Sequence, residues 1–321
     1  MSAAEVGLPM RFATPGLPEA VTIYEVGPRD GLQNEKTVVP LEVKAEFVTR
    51  LLDAGLPVVE ATSFVHPRWV PQLADAAELM TELAERLGDR ARDLPVLVPN
   101  ERGLDRALAL GQRHVAVFGS ATETFARRNL NCGYPEQFAM FAPVVERALD
   151  AGLDVRAYLS MCFGDPWEGP VALERVVEAG VRLLDLGAHQ LSLGDTIGVA
   201  TAGHVTALVE AFGAAGVGVE RLALHFHDTY GQALANVRAG LSCGVTTFDA
   251  SAGGLGGCPY ARSATGNLAT EDLLWMLEGL GIAHGVDLAA VAATSAWMAG
   301  HLGRPSPSAA ARALGPAQSG A

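Results

Sequence analysis

Short apolar, β-rich runs alternate along this chain with longer segments whose apolar positions recur every three or four residues. The runs at 22–26, 58–61, 96–98, 114–118, 155–160, 190–193, 222–226 and 246–250 read as strands. Between them lie helix-length segments such as 41–54, where Val43, Phe47, Val48, Leu51 and Leu52 mark one helical face and Gly55 supplies a C-terminal stop. Near-continuous apolar strands separated by amphipathic helices predict a parallel sheet covered by helices. Eight such units predict an α/β fold of the TIM (β/α)8 barrel type, occupying residues 21–302 as one domain. An open doubly wound sheet is the competing architecture, but no Gly-x-Gly-x-x-Gly with an acid about 20 residues on follows the first run. Residues 1–20 read as an N-terminal extension. From Gly303 onward the chain turns small, polar and proline-bearing, so 303–321 reads as a mobile, disordered tail.

Composition narrows the function classes. With 321 residues and 49% hydrophobic content the chain can bury a large core, so a barrel of this size is affordable. A net charge of -13 without clustered Lys and Arg argues against nucleic acid as a partner. No run approaches the ~18 uninterrupted apolar residues of a membrane span. The first 20 residues carry Arg11 against Glu5 and Glu19 and no long apolar stretch, which fits neither a secretory signal nor a transit peptide. Cys132, Cys162, Cys243 and Cys258 stand at wide, irregular spacings, neither a zinc pattern nor a disulfide framework, and suit free thiols in a reducing cytoplasm.

Candidate chemistry collects at the strand ends. His225 and His227 close the seventh run, and residues two apart on a strand share a face, so both imidazoles can aim at one point. Alone, such a pair reads equally as one packed histidine and one loop cap. Its company favours function: Arg29 and Asp30 follow the first run, Glu60 ends the second, Asp195 and Thr196 follow the sixth, and Asn267 follows the eighth. Barrel enzymes build their sites at this rim, whereas packing alone would place apolar residues there. Two imidazoles and a carboxylate make a divalent-metal site. The two lysines, Lys36 and Lys44, lie past the first loop and on the first predicted helix, so neither is placed for a Schiff base inside the barrel.

Longer motifs give the chain a relative. The loop Glu25-Val-Gly-Pro-Arg-Asp-Gly-Leu-Gln-Asn-Glu35, the run Val59-Glu-Ala-Thr-Ser-Phe-Val65, Leu193-Gly-Asp-Thr-Ile-Gly198, His225-Phe-His-Asp228, Gly254-Leu-Gly-Gly-Cys-Pro-Tyr260 and Gly266-Asn-Leu-Ala-Thr-Glu-Asp272 stand in order. Together they resemble the 3-hydroxy-3-methylglutaryl-CoA lyase family of metal-dependent barrel lyases, from Thr22 to about Gly300. The Cys-bearing loop separates these lyases from the condensing synthases that share the barrel.

The resemblance implies a retro-Claisen cleavage of the acyl-CoA substrate to acetoacetate and acetyl-CoA. It implies Mg²⁺ or Mn²⁺ held by Asp30, His225, His227 and Asn267, a mixed O/N set that suits Mn²⁺ well and tolerates Mg²⁺. Arg29, permanently charged beside Asp30, is assigned to the thioester oxygen; a loop-holding salt bridge is its other reading. Thr196 is a further substrate contact. Cys258, in a glycine-dense loop that permits a mobile lid, is assigned as proton donor to the enolate, and the other three cysteines as structural. Glu60 and Asp195 are expected to relay protons or orient the His and Arg side chains. His225 is also a proton carrier in the family, although ligation makes it a poor base. Asp228 is read as a supporting partner and the remaining histidines as structural. Asn34, Lys36, Arg127 and Arg128 are candidates for the CoA end, with a solvated face the favoured reading of the two arginines. A homodimer, and a place in leucine breakdown, ketone-body formation or another branched-chain route, follow from the resemblance too. The same chemistry on a citramalyl-CoA or isohexenylglutaryl-CoA substrate, an isopropylmalate- or homocitrate-type synthase, a non-haem iron oxygenase and a non-catalytic binding barrel are the alternatives.

Overall fold

In a computed structural model, residues 7–257 and 266–314 are described. Nine parallel strand segments form the sheet: β1 (Thr22–Glu25), β2 (Val58–Val59), β3 (Thr62–Ser63), β4 (Val96–Leu97), β5 (His114–Ser120), β6 (Asp154–Ser160), β7 (Gln190–Asp195), β8 (Leu222–Phe226) and β9 (Thr247–Ala250). Their spatial order, β2-β1-β9-β8-β7-β6-β5-β4-β3, ends on two segments that are neighbours in sequence. The single run predicted at 58–61 is therefore two short segments split by Glu60 and Ala61. Glu60 donates its N–H to Glu25 O at 2.9 Å on one side, and Ala61 donates to Pro95 O at 3.0 Å on the other. Consecutive amides bond to opposite neighbours, and the sheet closes into the expected eight-stranded barrel.

Helices cover the outside. The helix Leu41–Asp53 buries Ala45, Phe47, Val48 and Leu51, and Gly55 ends it with φ +91°. These side chains share one continuous apolar cluster with strand residues such as Ile23, Val59 and Val115 and with Phe141, Phe212 and Phe248. Each large apolar side chain so buried contributes about 1.5–3 kcal/mol before its entropic cost. The barrel interior is built differently. Alternation along β6 turns Arg156 and Tyr158 inward, Tyr24 and His225 both pair in register with Asp249, and Tyr158 pairs with Ser192. Glu60, Arg156, Ser192 and Asp249 are all buried.

The chain after Gly303 differs from its sequence expectation. Residues 304–314 are docked and end in the helix Ala309–Leu314. Asp272 accepts hydrogen bonds from Ser308 Oγ at 3.0 Å and from the Ala310 N–H at 2.6 Å, and Ser306 Oγ donates to Gly253 O at 3.0 Å. Buried Ala310 and Ala311 complete the seat. Polar bonds to side chains far back in sequence hold this segment, so its small, polar composition gave no sign of it. Residues 315–321 lie outside the described residues. Among the described residues, no helix is long and apolar enough to cross a membrane.

Candidate active site

The turn after β1 creates the first half of the site. Glu25 accepts the Gly27 N–H at 2.8 Å, Pro28 has no N–H to satisfy, and Val26 O gathers the N–H groups of Arg29, Asp30 and Gly31 at 3.2, 2.8 and 3.0 Å. This tight π-helical turn, Gly27–Gly31, brings Arg29 and Asp30 over the barrel mouth. The second half comes from the other edge. His225 is the last residue but one of β8, and His227 just beyond the strand forms an antiparallel bridge with Asn267. Leu268 donates to Phe226 O and Ser251 donates to Leu268 O, both at 2.9 Å, so the segment carrying Asn267 is stitched between the exits of β8 and β9. Gly256 (φ +109°) passes so close that a Cβ there would stand 2.7 Å from Asn267 Nδ2.

Asp30, His225 and His227 each offer a ligand atom within 4.8 Å of the others. Asn267 joins them, with Nδ2 donating to Asp30 Oδ2 at 2.9 Å and to Leu255 O at 3.0 Å. Its Oδ1 is left buried and without a hydrogen-bond partner among the described residues. A buried oxygen with a free lone pair beside a carboxylate and two imidazoles is the donor set a divalent cation needs, so these residues fit Mg²⁺ or Mn²⁺. Burial alone would raise the Asp30 carboxyl, but the positive charges around it, Arg29 foremost and then His225 and His227, outweigh burial and hold it at about 2. It is ionised at any working pH.

Arg29 binds Glu60 Oε2 through Nε at 2.8 Å and Asp30 Oδ1 through Nη1 at 2.7 Å, and its guanidinium lies 5.0 Å from the Tyr158 ring centroid. Tyr158 donates its hydroxyl to the same Glu60 oxygen at 2.9 Å. Glu60, directly after β2, is completely buried within the barrel, and its carboxyl is raised because burial outweighs the Arg29 charge. Under His225, Asp249 Oδ2 stands 3.3 Å from Nδ1 and also accepts Ser192 Oγ at 2.7 Å; Arg156 Nη2 meets Asp249 Oδ1 at 2.6 Å.

A cavity of about 400 Å³ opens above these groups, lined by Arg29, Asp30, Asn34, Arg128, Tyr158, Thr196, His225, His227 and Gly257 among others. Thr196 faces it while accepting the Met161 N–H at 3.0 Å. Asp195 has a different place: its two oxygens accept the N–H groups of Val199 and Ala200 at 2.8 and 3.1 Å, bracing the loop after β7. Burial lifts its carboxyl to about 6 despite those bonds. Asp228 accepts the Ala233 N–H at 2.9 Å at the start of a helix, a supporting role. Arg127 pairs with Glu123 at the surface, whereas Arg128 faces the cavity. Lys44 is buried on an outer helix against Asp75, 2.8 Å away. Cys258 lies outside the described residues.

Tyr158, Arg156, Ser192 and Asp249 were not singled out from sequence. The available signal was a charged or hydroxylated residue at alternate positions inside strands that otherwise read as apolar.

A parallel (β/α)8 barrel with a carboxylate, two imidazoles and an amide converging at its C-terminal mouth defines the class as a barrel enzyme with a candidate metal site. Comparison with known proteins then places the chain. The HMGL-like family model matches residues 20–298. The mitochondrial hydroxymethylglutaryl-CoA lyase of Arabidopsis thaliana is 50% identical over 93% of this chain, which spans 63% of that longer protein. The cytoplasmic 3-hydroxy-3-methylglutaryl-CoA lyase of Rattus norvegicus is 48% identical over 85% of this chain and 78% of its own length. Among solved structures, the hydroxymethylglutaryl-CoA lyase of Pseudomonas aeruginosa superposes with a TM-score of 0.88 at 46% identity, covering 93% of this chain and 98% of that one. An HMG-CoA lyase from Acinetobacter baumannii, in complex with coenzyme A and 3-methylmalate, gives 0.87 at 34% identity, covering 97% and 99%. The chain belongs to the HMGL-like family, the hydroxymethylglutaryl-CoA lyases.

Proposed function

We infer that this protein cleaves 3-hydroxy-3-methylglutaryl-CoA to acetoacetate and acetyl-CoA. The observation that carries the reading is the convergence of Asp30, His225, His227 and the unpartnered Asn267 Oδ1 beside Arg29 in one cavity. In the reaction the tertiary hydroxyl loses its proton and becomes the ketone of acetoacetate. The carbon–carbon bond breaks with its electron pair passing to the departing thioester as an enolate, and that enolate carbon takes a proton to give acetyl-CoA.

Asp30, His225, His227 and Asn267 would hold the divalent cation. When bound, it supplies Lewis-acid polarisation of the hydroxyl and a template for its orientation. Arg29 uses part of its fork of five donors on Glu60 and Asp30 and offers the rest to the thioester oxygen, where negative charge develops. Glu60 and Tyr158 hold that guanidinium in place. Thr196 supplies a polar contact on the opposite wall, and Asp195 shapes the loop that carries it. Cys258 is the proton donor to the enolate; Gly257, the residue before it, lines the cavity. Arg128 and Asn34 serve the CoA end. The described cysteines, Cys132, Cys162 and Cys243, are free thiols, in keeping with a reducing compartment such as the cytoplasm.

The test is acetoacetate production from 3-hydroxy-3-methylglutaryl-CoA with Mn²⁺ or Mg²⁺, repeated after EDTA. Metal-dependent product is expected. A folded, metal-loaded protein that yields none would overturn this substrate and turn the question to related 3-hydroxyacyl-CoA thioesters.

A further inference from the structure

We propose that Asp249 is a positioning residue that fixes His225 in the tautomer with its proton on Nδ1, and so presents Nε2 to the cation. Asp249 has no part in the ligand set. It sits inside the barrel on β9, in register with His225 on β8, and is almost fully buried at 1% exposure. Its carboxylate is gripped from below by Arg156, through Nη2 to Oδ1 at 2.6 Å and Nη1 to Oδ2 at 3.3 Å, and from the side by Ser192 Oγ at 2.7 Å. The Arg156 guanidinium is itself held between the rings of Tyr24, 3.9 Å from the centroid, and Tyr158, 4.7 Å, and by Gln190, which accepts from Nε at 3.0 Å.

A carboxylate bound to a guanidinium in this way is ionised and can only accept hydrogen bonds. His225 Nδ1, 3.3 Å from Asp249 Oδ2, must therefore be the donor. In a neutral imidazole the other nitrogen then carries the lone pair. That nitrogen, Nε2, is 4.0 Å from Asp30 Oδ2 on the cavity side, beyond hydrogen-bond reach and within the group of candidate ligand atoms that lie no more than 4.8 Å apart. The polar interior of the barrel thus acquires a purpose. Arg156 holds Asp249, Asp249 orients the ring, and the ring arrives at the mouth with its lone pair already aimed. Ligated histidines gain both orientation and basicity from such a carboxylate, and its loss costs roughly 10- to 100-fold in metal affinity.

The proposal rests on the metal-site reading above, and the closing measurements separate the two. Long-range ¹H–¹⁵N correlation on metal-free, ¹⁵N-histidine-labelled wild-type protein, taken on the alkaline plateau of the His225 ring signals where that ring is neutral, reads the tautomer directly. The expected result is His225 protonated on Nδ1 alone; protonation on Nε2 overturns the assignment and requires no variant to fold. In parallel, Mn²⁺ titration followed by the electron paramagnetic resonance of the free ion compares wild type with Asp249→Asn. The expected result is roughly 10- to 100-fold weaker binding by a variant with unchanged circular dichroism. Equal affinity in the folded variant overturns the proposal. A wild type that binds no Mn²⁺ overturns the metal reading and this assignment together, whereas a sound Mn²⁺ site with His225 in the other tautomer overturns this assignment alone.

Discussion

Two clusters of acids meet at the end of β1, and their surroundings shift the carboxyls in opposite directions. Asp30 faces the cavity with 23% of its side chain exposed, and Arg29 and the two histidines hold it at about 2. Glu25, five residues earlier, is completely buried; it accepts from the N–H groups of Gly27 and Ala252 at 2.8 and 2.9 Å and from Thr270 Oγ1 at 2.6 Å. Glu271 beside it takes the Gly253 N–H at 3.0 Å and Ser295 Oγ. No cation is among these partners, and burial pushes both carboxyls up to about 7, outweighing their hydrogen bonds. One turn thus serves two ends. Where cations surround the acid, it keeps its full negative charge. Where backbone must be pinned, amides and hydroxyls suffice, and burial favours the neutral acid.

Breaking the first cluster should have the largest effect. Asp30→Asn keeps shape and removes the charge, and should abolish Mn²⁺ binding and lower kcat by roughly 10³-fold or more with little change in melting temperature. Retained Mn²⁺ affinity, measured by titration, would remove Asp30 from the ligand set. Cys258→Ser should lower kcat by roughly 10²- to 10⁴-fold while leaving Mn²⁺ affinity intact. A variant with wild-type turnover takes the thiol out of the chemistry.

The second cluster should answer in stability, through pH. The Glu271 carboxyl rises from 4.5 to about 7 on folding, so the native state holds a proton that the unfolded chain releases. The stabilisation is complete below about pH 4.5 and is lost as pH rises through about 7. Glu271→Gln is neutral throughout, so its melting temperature relative to wild type should rise between about pH 5 and about pH 8. A constant difference across that interval would show the carboxyl to be ionised throughout. The smallest effect lies outside both clusters: Arg304→Ala removes a pairing with Glu35 that is 35% exposed on the arginine side, and should cost under about 1 kcal/mol in denaturant unfolding with activity unchanged.

The same contrast explains what could be read from the sequence. The eight strands were legible because their outward faces enter one apolar cluster, and Arg29, Asp30, His225, His227 and Asn267 were legible because strand ends rarely carry such groups without a use. The structure brings these five together. Asp249 on β9 and Arg156 and Tyr158 on β6 were missed because each is flanked by apolar residues within its strand, and only three-dimensional closure shows them facing one another. Asp195 was read as chemistry from its place beside Thr196; the bonds its oxygens accept from the Val199 and Ala200 amides, which brace the loop, come from residues four and five further on and were not visible in that position. The segment 304–314 escaped notice because Asp272, far back in the chain, supplies the bonds that seat it.

The split second strand sets a limit on how this barrel can vary. Glu60 and Ala61 hand the chain from one neighbour to the other within a single peptide step, so β2 and β3 keep no independent register. Loops elsewhere on the rim can lengthen without disturbing the strands behind them. An inserted or deleted residue between Val59 and Thr62 has no such freedom, since it would swing Glu60 out of reach of Arg29 and turn one half of the strand inside out. Changes of length in this fold can accumulate around that seam but not within it.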